Sequence, residues 1–144
     1  VSNLPIAASP DGYIYFQENG VDDGSTNPPS PISSYIESSA IDMGDGDQFM
    51  FVSRVLPDLT FRNSTSTPSA TFEVSARDFP GANFDQTNSG AAVRSATAPV
   101  EQFTEQLFFR LRGRSMALKV SSNTLGTQWR LGTPRADMRT DGRR

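Results

Sequence analysis

Residues 70–77 read Ala-Thr-Phe-Glu-Val-Ser-Ala-Arg, and apolar and polar side chains alternate through the whole run. A period of two predicts an extended strand with Ala70, Phe72, Val74 and Ala76 on a core and Thr71, Glu73, Ser75 and Arg77 on the other side. Nothing in the chain competes with that signal. No segment keeps a 3.6-residue apolar period for three turns, and Pro, Gly, Ser, Thr and Asn recur throughout.

Further strands follow from the same rule. In 103–112, Phe103, Glu105, Leu107, Phe109 and Leu111 share one parity; in 114–120, Met116, Leu118 and Val120 share the opposite one. The apolar face therefore changes parity near Arg112-Gly113-Arg114, which predicts a hairpin turn or a β-bulge at Gly113. Residues 49–56 are almost continuously apolar, as in a strand covered on both faces or one crossing an interface, with Pro57 as its end. Residues 12–17 and 33–43 read as two more strands.

Residues 17–32 are a loop by composition, stiffened by Pro28, Pro29 and Pro31, and residues 81–99 read as a second long loop. About eight short strands without a helix predict an all-β chain, an antiparallel β-sandwich or jelly-roll-like domain with long loops, in one unit spanning residues 1–144. A start at Val1 rather than Met is expected of a fragment or a processed product.

The chain has neither cysteine nor histidine. Disulfides, thiolate chemistry and the usual general base are therefore out of reach, and assembly inside a cell is favoured. Asp42, Asp45 and Asp47 lie too irregularly for a calcium loop, and the Asp-Gly pairs predict a β-turn. Asp22/Asp23 and Glu101/Glu105 qualify as paired catalytic carboxylates only by being acids; Asp22 and Asp23 are expected to be solvated in their loop. Asn63-Ser64-Thr65 matches a glycosylation pattern but reads as a polar loop. No catalytic residue, metal or cofactor is expected, and the chain is read as not an enzyme.

Charge is unevenly placed. Residues 1–109 carry fourteen acidic and four basic side chains, a net of −10, and residues 110–144 carry two acidic and nine basic, a net of +7. The last segment, 127–144, holds five arginines and two aspartates. A disordered basic arm rarely includes Trp129, Leu131, Ala136 and Met138, and aspartates oppose phosphate binding. Ala136 and Met138 share one parity and Arg135, Asp137 and Arg139 the other, so 127–140 reads as folded strand. Arg130, Arg135, Arg139, Arg143 and Arg144 are then candidates for a subunit interface, where arginine forks pair with carboxylates.

Four stretches together resemble a known class: DGYIYFQENGVDDG, YIESSAIDMGDGDQFMFVSRVLPDLTF, FRLRGRSMALKVSS and WRLGTPRADMRTDGRR. In this order they resemble the C-terminal part of tailed-phage virion proteins, most closely the tail nozzle, or tail tubular protein B, of short-tailed phages. The likeness spans most of residues 11–144 and is weakest over 81–99. It implies a non-enzymatic structural role in the phage tail as the C-terminal portion of a larger chain. It also implies a homo-oligomeric ring around the DNA exit channel, docked on a neighbouring virion protein such as an adaptor. Genome DNA would pass without sequence-specific binding, no membrane would be involved, and assembly would occur in the host cytoplasm. No gate motif is visible in this segment, which leaves channel lining open. The alternative is a carbohydrate- or receptor-binding β-sandwich of a phage tail, which calls for exposed aromatics clustered with acids.

Overall fold

The computed structural model describes residues 3–79 and 94–143. Among them all regular structure is β, in twelve strands: β1 (Ile6–Ala8), β2 (Ile14–Phe16), β3 (Ser34–Glu37), β4 (Ile41–Asp42), β5 (Met50–Leu56), β6 (Leu59–Thr60), β7 (Ser69–Arg77), β8 (Arg94–Glu101), β9 (Leu107–Gly113), β10 (Ser115–Ser122), β11 (Arg130–Leu131) and β12 (Arg135–Thr140). All pairings between them are antiparallel. One sheet runs β3-β10-β7-β8, with β4 on a second stretch of β10; another runs β12-β5-β9; β6–β11 and β1–β2 form two small ribbons.

The two larger sheets enclose one core, making the domain sandwich-like. Phe72, Val74, Met116 and Val120 face it from one sheet, and Met50, Val52, Val55, Leu107 and Phe109 from the other. The rings of Phe72 (β7) and Phe109 (β9) meet between the layers with centroids 6.4 Å apart. Each such fully buried side chain contributes about 1.5–3 kcal/mol. The alternation of β7 is as read: Ala70, Phe72, Val74 and Ala76 are all buried.

The parity change near Gly113 has a different cause from a hairpin. β9 pairs with β5, whereas β10 pairs with β7, β3 and β4, so the chain passes from one sheet to the other with Arg114 between the two ladders. The Arg114 amide donates to Arg77 O at 2.9 Å. A Cβ on Gly113 would lie 2.7 Å from the Ala76 Cβ, so the crossing needs a glycine.

The near-continuous apolar run at 49–56 also resolves physically. β5 shifts register around Ser53 against both neighbours, which returns Val55 to the core behind Met50 and Val52. Phe51, Arg54 and Leu56 are half-buried on the other side, so only one face is fully covered.

Three further expectations need correcting. Residues 94–99 are not loop but part of β8, whose Ala96, Ala98 and Val100 pack on the core. Alanines alternating with Ser95, Thr97 and Pro99 give a weak strand signal, and the proline fits because β8 is an edge strand. Residues 81–93 of that expected loop lie outside the described residues. The strand count is twelve rather than about eight, because 33–43 and 127–140 each divide into two strands and the ribbons add pieces of two or three residues. Finally, 127–140 is interrupted after Leu131. Gly132 N donates to Asp58 O at 2.9 Å and Thr133 N to Asp58 Oδ2 at 2.6 Å, pinning the turn between β11 and β12.

Candidate assembly surfaces

β12 forms one edge of its sheet, and its register places side chains as the alternation predicts. Ala136 stands opposite Val55 and Met138 opposite Val52 on the core side, while Arg135, Asp137 and Arg139 stand opposite Leu56, Arg54 and Phe51 on the outward side. Met138 is still 37% exposed, since among the described residues no strand lies beyond β12. From β9, Phe108, Arg110 and Arg112 join the same outward face.

This face is ordered in rows. Arg139, Phe51 and Arg112 form one, with the Arg139 guanidinium 4.9 Å from the Phe51 ring centroid. Asp137, Arg54 and Phe108 form the next; Arg54 Nη2 lies 2.6 Å from Asp137 Oδ2. Five arginines thus share a three-stranded face with Asp137, and Asp141 stands at its end. Arg110 and Arg135 are exposed and make no ion pair among the described residues. Phe108 is 72% exposed.

At the end of this face the chain terminus is held by an arginine–aromatic cluster. The guanidinium groups of Arg112 and Arg114 lie over the buried Phe49 ring, 4.0 and 4.9 Å from its centroid. Arg112 also donates to Asp141 Oδ2 at 2.6 Å and to Asp141 O at 2.9 Å. Backbone bonds from Asp141 N to Phe49 O and from Phe49 N to Gly142 O complete the tie. Exposed ion pairs alone are worth little, about 0–1 kcal/mol, so the stacking and the backbone bonds carry most of this contact.

The N-terminal ribbon is built differently. Among the described residues β1 and β2 pair with each other and with no other strand. Their turn is closed by Gly12 N on Ser9 O and Ser9 N on Tyr13 O, and Asp11 accepts from the Tyr13 amide at 3.1 Å and the Tyr15 hydroxyl at 2.9 Å. The Tyr13 amide, with the Ser9 and Tyr15 hydroxyls, holds the Asp11 carboxyl below its ordinary value, and the bond to Asp11 pushes the Tyr15 hydroxyl up. Ile6, Tyr13, Ile14 and Phe16 are all exposed, Ile14 by 72% and Phe16 by 60%. The following loop is moored to the sandwich by Gly126 N donating to Asp22 Oδ1 at 2.7 Å, so Asp22 is a tether rather than a merely solvated acid. Asp23 accepts from Ser25, whose hydroxyl and amide lower its pKa. Between ribbon and loop lies an open cleft lined by Tyr15, Phe16, Asp22 and Asp23, among others.

The five candidate arginines separate. Arg135 and Arg139 share the outward face; Arg130 stands on β11 in the small ribbon with β6. Arg143 is exposed and pairs at the surface of its own domain, Nε 3.4 Å from Asp47 Oδ2, and Arg144 lies outside the described residues. Asp42 ends β4, and Asp45 and Asp47 lie in the turn that follows, in which Gly44 and Gly46 have positive φ. Arg54, Arg110, Phe51 and Phe108 were not candidates from the sequence, and Arg112 was read only as flanking a turn or bulge at Gly113. A signal existed: Phe108 is an aromatic on the polar parity of its strand, followed by Arg110 and Arg112 at the same spacing. Of the ribbon only β2 was legible; β1 reads Ile-Ala-Ala, whose alanines carry little strand signal.

A scan against protein-family models and a search of curated proteins find no match to this chain.

Proposed function

We propose that this chain is a non-enzymatic structural domain of a phage virion, a tail nozzle or tail tube component that joins copies of itself in a ring around the DNA exit channel. The observation that carries this reading is the presence of two unlike exposed surfaces on one small domain. One is an acidic, apolar N-terminal ribbon, and the other is an arginine- and phenylalanine-bearing sheet face. A closed ring needs heterologous contacts, one patch of each subunit meeting a different patch of the next. Complementary charge sets the register and partner choice of such contacts more than their raw strength. The resemblance carried by 129–144 and the three earlier stretches supplies the virion setting. The first fifty-three residues contain no Lys or Arg, which suits a wall past which phosphates slide. A neighbouring adaptor protein would hold the ring. Image reconstruction of the virion tests the reading: it predicts density for this domain repeated around the channel axis, and density only on a fibre or away from the axis contradicts it.

The second reading, a carbohydrate- or receptor-binding module of the tail, is favoured by one observation, the cleft where Tyr15 and Phe16 meet Asp22 and Asp23. Binding on a glycan array that is lost in Tyr15→Ala supports it, and an array without signal removes it.

A further inference from the structure

We infer that the β1–β2 ribbon of one copy docks on the β12-β5-β9 face of the next. The inference rests on the self-assembly part of the reading above and names its contact surfaces.

A two-stranded ribbon is marginal in water by itself, and this one pairs with no other strand. It nevertheless presents Ile6, Ile14 and Phe16 to solvent, the kind of contiguous apolar surface that marks an interaction site. Residues 3–32 carry Asp11, Glu18, Asp22 and Asp23 and no basic side chain. The β12-β5-β9 face is the complement, with Phe108 exposed for an apolar contact and Arg110 and Arg135 free of ion pairs among the described residues. Phe108 pairs in register with Arg54, so the apolar anchor is rimmed by guanidinium groups, the composition enriched in interface centres. Nucleic acid fits this face less well. Asp137 already neutralises Arg54, Asp141 neutralises Arg112, and Arg139 stacks on Phe51. Phosphate binding draws on uncompensated cations.

The absence of cysteine from the chain makes cross-linking clean. Ile14→Cys and Phe108→Cys are both exposed substitutions that leave the core untouched, and a shared thermal midpoint with the parent checks their folding. Mixed and mildly oxidised, they are expected to form the mixed disulfide about tenfold more than either forms with itself. Arg110→Glu added to the Phe108→Cys chain lowers that yield, and Glu18→Arg added to the Ile14→Cys chain restores part of it. Equal yields of mixed and self-linked dimers, or no cross-link at the highest soluble concentration, overturn the docking. A labelled single-stranded DNA oligonucleotide that binds the parent, fails to bind Arg110→Glu and suppresses the cross-link assigns the face to nucleic acid and also overturns it. Virion reconstruction separates the two levels: a ring with the ribbon turned away from the neighbouring face sinks the docking alone. A mixed cross-link without any ring around the channel sinks the functional reading alone.

Discussion

The β1–β2 ribbon and the β7 strand are made from similar residues and meet opposite fates. In β7 the alternating Phe72, Val74 and Ala76 are sealed between two sheets; in the ribbon Ile6, Ile14 and Phe16 stand in solvent. The difference lies in the neighbours. β7 is paired on both edges, by β10 and β8, and covered by β9 and β5, whereas β1 and β2 have only each other. Apolar residues on a strand with neighbours build the core; the same residues on a ribbon paired only with itself stay in solvent.

The comparison is sharpened most by truncating the core. Phe72→Ala is expected to cost about 3–5 kcal/mol in chemical denaturation, because its ring sits between the layers and the cavity cannot collapse across two sheets. A loss under about 1 kcal/mol would mean that β7 is not the centre of the core. Gly113→Ala should cost about 1–3 kcal/mol, since the added methyl meets the Ala76 Cβ where the chain changes sheets. A neutral result would show that β9 and β10 can separate from β7 without penalty. Phe16→Ser should change stability by no more than about 0.5 kcal/mol while weakening self-association measurably by light scattering. If it destabilises as strongly as Phe72→Ala, the ribbon belongs to the core and the contrast fails.

The smallest effect concerns pH. The Asp11 carboxyl is held below its ordinary value by the Tyr13 amide and the Ser9 and Tyr15 hydroxyls. Its contribution to the ribbon turn is therefore present above the ordinary carboxylate range and is lost as pH falls through the depressed folded value. The Tyr13 amide resonance should follow this titration in NMR, with a midpoint below the ordinary value of 3.8. A midpoint at or above that value would show that the turn does not engage the carboxylate.

Strands with a strict period of two were legible, and so was the outward placement of Arg135, Asp137 and Arg139 against Ala136 and Met138. β8 was not, because alternating alanines carry little hydrophobic contrast and Pro99 argues against a strand until its edge position is known. The sheet change at Gly113 could not be told from a hairpin, because both reverse parity; only the pairing partners of β9 and β10 separate them. The arginine-bearing β12-β5-β9 face was half-visible. Its arginines from 110–144 stood out by charge, but Arg54 and Phe51 reach it from a distant segment through the register of β5. Arg143, a subunit-interface candidate from the sequence, pairs instead with Asp47 of its own domain, a contact between segments almost a hundred residues apart.

Amide hydrogen exchange, compared between dilute and concentrated protein, tests the central claim most directly. If the ribbon of one copy covers the arginine face of the next, protection should rise together at β2 and at β9 and β12 with concentration, while β7 and β10 stay unchanged. Protection that does not change with concentration at the ribbon, or that rises on the arginine face without it, would contradict the claim.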